Sequence, residues 1–280
     1  MIEIFETIGR LRAWRSGLPA GTAVALVPTM GALHAGHGAL IDAARRDGGV
    51  VAVSIFVNPL QFNNQDDLAR YPRTLDADMA FCRERGVAIV FAPPATEVYP
   101  RPPECSVDVG RLADHLCGPF RPGHFRGVAT VVLNLFEMVR PDRAYFGEKD
   151  AQQLAIVRRL VADFNLPLSV IGVSTVREAD GLAMSSRNRH LNAEERLLAP
   201  CLYQMLLQVR ERITRGEKRP LSIVRAAADT LPHSDKLKLE YLEIVDPETM
   251  QPVEIIGGPV RVAAALWVGA TRLIDNLLVP

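Results

Sequence analysis

The stretch Val27-Pro-Thr-Met-Gly-Ala-Leu-His-Ala-Gly-His37 decides how this chain is read. Before it, residues 22–27 form a short apolar run closed by Pro28, the pattern of a strand buried in a parallel sheet. After it, from Gly36 through Ala44, Leu40, Ile41 and Ala44 recur at helical spacing. A strand, a tight turn and a helix therefore meet at two histidines. A helix start presents orphan N–H groups and the positive end of the backbone dipole, which favour an anion, and imidazoles add donors whose charge changes near neutral pH. Three residues apart, His34 and His37 share one face of the first turn. The same residues also admit a plain helix cap, with Gly31 and Gly36 easing the turn. A metal pair is a third option, although the His-Glu-x-x-His of a zinc protease helix is absent and no cysteine lies nearby.

Outward from this corner, strands alternate with helices. Residues 50–57 form a second apolar strand ending at Asn58-Pro59; Thr74 is placed to cap a helix running to Arg85, with Gly86 closing it; residues 87–91 form a third strand. A proline-rich stretch, 93–103, leads through a less regular region to a helix over 127–139. Further strands fall at 144–146 and 168–173, around a helix at 151–164. This is the pattern of an α/β fold, a doubly wound parallel sheet, whose ligands bind beyond the carboxyl ends of the strands. From about Val176 the chain turns polar and irregular, then predicts helices at 193–214 and 221–231 and strands at 238–245, 261–268 and 272–278. The expected organisation is a domain over 1–175 and a smaller α+β domain over 176–280.

Composition bounds the partners. The chain has 280 residues, 48% of them apolar, enough for a large core, and 32 basic residues balance 32 acidic ones. No overall field recruits nucleic acid or an anionic membrane. Four scattered cysteines, no cationic leader and no apolar run long enough to span a bilayer make a reduced cytoplasm the expected compartment. The phosphate-cradling patterns of P-loop kinases and dehydrogenases are absent.

Seven motifs, in order, resemble the pantoate–β-alanine ligase family across essentially the whole chain. They are Pro28-Thr-Met-Gly-Ala-Leu-His-Ala-Gly-His37, Phe56-Val-Asn-Pro-Leu-Gln-Phe62, Tyr71-Pro-Arg-Thr74, Arg121-Pro-Gly-His-Phe125, Phe146-Gly-Glu-Lys-Asp150, Asp180-Gly-Leu-Ala-Met-Ser-Ser-Arg-Asn188 and Thr271-Arg-Leu-Ile-Asp275. The family is similar to the nucleotidyltransferases that share a His-x-Gly-His motif, here His34-Ala-Gly-His37, and the resemblance implies a Rossmann-like first domain with the smaller one closing over ATP.

The resemblance further implies a reaction. The carboxylate of pantoate is joined to AMP with release of diphosphate, and the amine of β-alanine then displaces AMP to give pantothenate. Negative charge gathers around the α-phosphorus, so donors should be aimed there. Carried over residue by residue, His37 is the proton donor, with His34 and Lys149 acting beside it. Met30, Gly31, Ala32, Leu33, Ala35 and Gly36 line ATP with the two histidines, as do Gly147, Glu148 and Asp150; Val176 contributes through its backbone. Met184, Ser185, Ser186 and Arg187 clamp the terminal phosphates. Gln61 and Gln153 hold pantoate, Gln61 also serves β-alanine, and Asn58, Tyr71, Arg121 and His124 support the pocket. The resemblance also implies Mg²⁺ held by the ATP phosphates, with Asp150 as an optional further contact, no protein metal site, and a homodimer.

Duller roles exist for several of these: an exposed helix position for Gln153, a solvated charge for Lys149, a capped turn for Ser185 and Ser186, plain packing for Tyr71. Asn134 stands where many relatives carry lysine, and Ser174 where proline is frequent, which leaves local packing or a secondary phosphate contact in doubt. The alternative function is a nucleotidyltransferase that adenylylates or cytidylylates a small substrate and stops.

Overall fold

The computed structural model describes residues 2–280. The chain forms two compact units. The first takes residues up to Val109, then Arg121–Glu148 and Ile156–Ser174; the second takes Gly110–Phe120, Lys149–Ala155 and Thr175–Pro280.

The first unit holds a six-stranded sheet of β1 (Glu3–Phe5), β2 (Val24–Thr29), β3 (Val50–Ile55), β4 (Ile89–Phe91), β5 (Arg143–Gly147) and β6 (Ser169–Val173), in the order β1-β4-β3-β2-β5-β6. Every pairing is parallel. That arrangement buries both faces, which is why Val24, Ala25, Leu26 and Val27 are no more than 1% exposed and read as an uninterrupted apolar run. From β2 the chain winds to one side through β3 and β4, then resumes at β5 on the other side. The direction therefore reverses beyond the carboxyl ends of β2 and β5, where open parallel sheets bind ligands.

Four details depart from the sequence reading. β2 runs through Pro28 to Thr29. Thr29 accepts from Phe56 on the β3 side, so Pro28 faces the β5 side, where pairing has already ended at Leu26, and its missing N–H breaks no ladder. The helix expected from 127 starts at His124 and continues to Val139, led in by Gly123 at φ 79°. At the helix Leu75–Glu84, the Thr74 hydroxyl makes no cap bond and instead donates to Asp78. The edge strand β1 was not expected, being only three residues long.

The second unit holds β7 (Leu237–Val245), β8 (Val260–Val268) and β9 (Thr271–Val279), antiparallel in that order. Its core includes the fully buried Leu206, Ile223, Val262, Leu266 and Val268. The single helix expected over 193–214 is two, Ala193–Leu198 and Cys201–Thr214, because Pro200 cannot continue the first. Gln152 pins the irregular segment near its start: its side chain donates to the carbonyls of Leu112 and His115, each at 2.8 Å, and accepts from Cys117 N–H at 3.0 Å. Among the described residues no helix is long and apolar enough to cross a membrane.

Candidate functional site

The two histidines of the first unit do more than flank a helix start. His34 is the N-cap of the helix Ala35–Arg46, and its Nδ1 accepts Gly36 N–H at 3.1 Å; the Nδ1 of His37 accepts His34 N–H at 3.3 Å. This is a capping box made of imidazoles, with ring centroids 4.2 Å apart. A nitrogen that accepts a backbone N–H carries no proton, so in each neutral ring the proton is on Nε2. The cap of the sequence reading is therefore present, and it uses Nδ1 of each ring. Nδ1 serves the fold, and Nε2–H is the donor.

The turn leading into them is held from below. Gly31 and Ala32 both take left-handed φ, 82° and 50°, and the N–H groups of Ala32 and Leu33 donate to the buried carboxylate of Asp78 at 3.0 and 2.8 Å. Those two amides are therefore committed, and Ala32 and Leu33 are themselves buried. Their contribution is to the shape of the turn. Asp78 was missed in the sequence, although an aspartate sharing the buried face of a helix with Cys82 is the kind of interruption that marks a polar contact.

Gln61 is fixed by a chain of directed hydrogen bonds. Asn58 must present Nδ2 to the carbonyl of Gly127, 3.1 Å away, and Oδ1 to Leu60 N–H, 3.3 Å away, so its amide orientation is set by backbone groups. Its Nδ2 also donates to Gln61 Oε1 at 3.0 Å, which leaves Gln61 offering Nε2, now 3.1 Å from the Met30 sulfur. Tyr99 donates to Asn58 Oδ1 at 3.1 Å, and Asn134 bonds to the Tyr99 hydroxyl, which burial pushes up to about 12. Asn134 thus belongs to the network behind Gln61. On the other side, His124 Nδ1 donates to the Gln61 carbonyl at 2.8 Å, so its Nε2 accepts from Arg121 at 3.0 Å. Met30, Asn58, Gln61, Arg121 and His124 are brought together; Tyr71 lies edge-on against Phe62, with ring centroids 5.8 Å apart. Gly147 closes β5, and Glu148 opens the short turn Glu148–Asp150.

In the second unit, Lys149 keeps only 17% of its side chain exposed and lies 3.6 Å from the Asp150 carboxylate, so it is not a freely solvated charge. Its carbonyl accepts Asn276 Nδ2 at 2.9 Å. Next to Asn276, Asp275 takes both terminal nitrogens of Arg177, whose guanidinium stacks 3.8 Å from the Tyr203 ring and donates to Gly181 O at 3.0 Å. Arg177 begins the hairpin that presents Met184, Ser185, Ser186 and Arg187, all half-buried. The Val176 carbonyl accepts Met184 N–H at 2.9 Å, and Ser185 caps the turn Ser186–His190 by accepting Arg187 N–H at 3.3 Å. Gln153 sits half-buried on the first turn of the helix Ala151–Asp163, leaving the structural bonds to Gln152. Among the described residues no three His, Cys, Asp or Glu side chains gather as metal ligands.

A parallel sheet whose strand order reverses beside a polar, imidazole-bearing strand-turn-helix corner defines an α/β protein of the class that takes its ligands at the strand carboxyl ends. The chain belongs to the pantoate-beta-alanine ligase family, whose model matches residues 3–278. It is similar to the pantothenate synthetase of Thermus thermophilus, with a TM-score of 0.92 and 47% identity covering 98% of both chains. It is also similar to the pantoate-beta-alanine ligase of Francisella tularensis solved with beta-gamma ATP and beta-alanine, with a TM-score of 0.82 and 33% identity over 99% of this chain and 98% of that one. A bifunctional pantoate ligase/cytidylate kinase of Synechococcus elongatus is 52% identical over 270 residues, which are 95% of this chain and 51% of that protein. The chain thus spans about half the length of such bifunctional relatives.

Proposed function

We propose that this protein condenses pantoate with β-alanine to pantothenate at the expense of ATP, releasing AMP and diphosphate. The observation that carries the reading is the pair of imidazoles whose Nδ1 atoms are spent on the helix cap, so that each ring presents Nε2–H as its donor at the carboxyl end of β2.

In the first step a carboxylate oxygen of pantoate attacks the α-phosphorus and diphosphate leaves. Both partners are anions, so the protein must supply positive charge and donors without fixing the attacking oxygen. His34 and His37 donate through Nε2 to phosphate oxygens, with His37 as the proton donor, and Lys149 adds a fixed charge. Ser185, Ser186 and Arg187 take the terminal phosphates through charge-assisted bonds, with Met184 and Val176 beside the nucleotide. The turn from Met30 through Gly36 and the residues Gly147, Glu148 and Asp150 complete the nucleotide's surroundings. Gln61, oriented as a donor, and Gln153 hold pantoate with neutral groups, which leaves its carboxylate nucleophilic. In the second step the amine of β-alanine, near Gln61, attacks the acyl carbon and AMP leaves. Asn58, Arg121, His124 and Tyr71 keep Gln61 and its loop in place. A Mg²⁺ ion bound with the triphosphate would offset part of its charge; the phosphates would hold it, and Asp150 is the side chain that could add a carboxylate.

The test is release of AMP and diphosphate with each substrate omitted in turn. Diphosphate release should require pantoate, and pantothenate should form only with β-alanine present. A stable adenylylated product that no amine consumes would replace the ligase with a nucleotidyltransferase. We also assign a homodimer and a cytoplasmic setting, on the family resemblance and the reduced thiols; light scattering and cell fractionation test these.

A further inference from the structure

Asp78 is 2% exposed, yet among the described residues its carboxylate bonds to no cation: its partners are the N–H groups of Ala32 and Leu33 and the Thr74 hydroxyl. Each oxygen is used. Oδ1 takes Leu33 at 2.8 Å, while Oδ2 takes Ala32 at 3.0 Å and Thr74 at 3.2 Å. Oδ2 also stands 3.0 Å from where a Cβ on Gly31 would lie, so the carboxylate packs directly beneath the turn. A buried carboxylate is costly unless its lone pairs are filled, and here backbone amides fill them. The arrangement also holds Ala32 at φ 50°, where a residue with a Cβ is crowded and does not rest unaided. Immediately after Leu33 the chain becomes extended at His34, with φ −143°, and enters the helix.

We propose that Asp78 is a positioning residue for His34 and His37. By turning the amides of Ala32 and Leu33 inward, its carboxylate fixes the direction in which the chain approaches the helix, and with it the reciprocal cap that keeps each Nδ1 unprotonated and each Nε2 protonated. Asparagine at 78 would keep one acceptor oxygen but set an NH₂ group against a backbone N–H. One amide would lose its partner, the left-handed turn would relax, and the two Nδ1 caps would no longer be enforced. The consequence for turnover rests on the roles proposed for the imidazoles. The consequence for the rings does not.

The experiment is long-range ¹H–¹⁵N correlation spectroscopy of ligand-free protein labelled with ¹⁵N at histidine, with His34 and His37 assigned from single substitutions. Both rings of the wild-type protein should show an unprotonated Nδ1 and a protonated Nε2. In Asp78→Asn at least one of the two should move to a mixture of tautomers. The rate of diphosphate release with saturating ATP and pantoate should fall by at least about ten-fold, since small misplacements of reacting groups are costly. A wild-type spectrum with protonated Nδ1 on either ring, or Asp78→Asn rings indistinguishable from wild type, overturns the proposal. Altered rings with an unaltered rate uphold the positioning and instead overturn the chemical role of the imidazoles. If Asp78→Asn fails to fold, Asp78→Glu, which keeps both acceptor oxygens but displaces them by one methylene from the amides of Ala32 and Leu33, is judged by the same criteria.

Discussion

Asp275 receives both terminal nitrogens of Arg177, at 2.6 and 3.0 Å, with only 2% of the carboxylate side chain and 17% of the arginine side chain exposed. The pair joins the hairpin carrying Ser185 and Arg187 to the strand whose next residue, Asn276, holds the carbonyl of Lys149. Replacing Asp275 by asparagine leaves a buried guanidinium without its counter-charge. Chemical denaturation should show a loss of about 3–5 kcal/mol, the range for breaking a buried pair from one side. A loss under about 1 kcal/mol, as for surface pairs, would mean that the guanidinium finds water.

The imidazole cap allows fold and chemistry to be separated at His34. Asparagine can place an oxygen where Nδ1 accepts Gly36 N–H and is a favoured N-cap, whereas alanine cannot. His34→Asn should therefore melt close to the wild-type protein while His34→Ala loses about 1 kcal/mol. Both should turn over roughly 100-fold more slowly, the scale of a lost donor at a reacting centre. Wild-type turnover in His34→Asn would leave this ring a cap and nothing else.

Gly127 is where the helix His124–Val139 crosses the Pro59–Gln61 turn, and no larger residue fits. An added Cβ would lie 2.3 Å from the Leu60 carbonyl oxygen and 2.8 Å from Gln61 N, both backbone atoms. Gly127→Ala must push the turn away and break the bonds from Asn58 and His124 to Gln61. The expected result is a KM for pantoate raised at least about ten-fold, with destabilisation of about 1–3 kcal/mol. Unchanged pantoate saturation would separate Gln61 from that substrate.

The four thiols should differ sharply in reactivity. Burial pushes Cys82 up to about 12, with the charge of Asp78 adding to it, and pushes Cys201 up to about 11; Cys117 is buried and Cys105 exposed. Only thiolates are alkylated, so brief iodoacetamide treatment at pH 8 should modify Cys105 alone, read by peptide mass spectrometry. Equal labelling of Cys82 would require the helix Leu75–Glu84 to open readily.

Much of the sheet was legible because its strands are buried on both faces and read as apolar runs between turn residues. What escaped was set by tertiary context. β1 is three residues at a sheet edge, too short to show a period, and Pro28 ended the expected strand early because nothing in the sequence says that its β5 side is unpaired. In the site, residue types and motif order pointed to His34, His37, Gln61 and Lys149. Of the parts that orient them, Asn58, Arg121 and His124 were expected at the pocket, whereas the roles of Asp78, Tyr99 and Asn134 were silent. Asp78 meets its amides 45 and 46 positions away, and Tyr99 and Asn134 reach Gln61 only through Asn58. Ser185 turned out to hold a turn by its hydroxyl oxygen, a duty that leaves its proton to give.

The polypeptide passes back and forth between its two units, lending Gly110–Phe120 and Lys149–Ala155 to the second before committing to it at Thr175. A single protease nick or an engineered truncation near 175 would consequently yield no self-sufficient halves. The tail fragment would lack the stitch in which Gln152 grips Leu112, His115 and Cys117, and the front fragment would carry those eleven- and seven-residue inserts with nothing to fold onto.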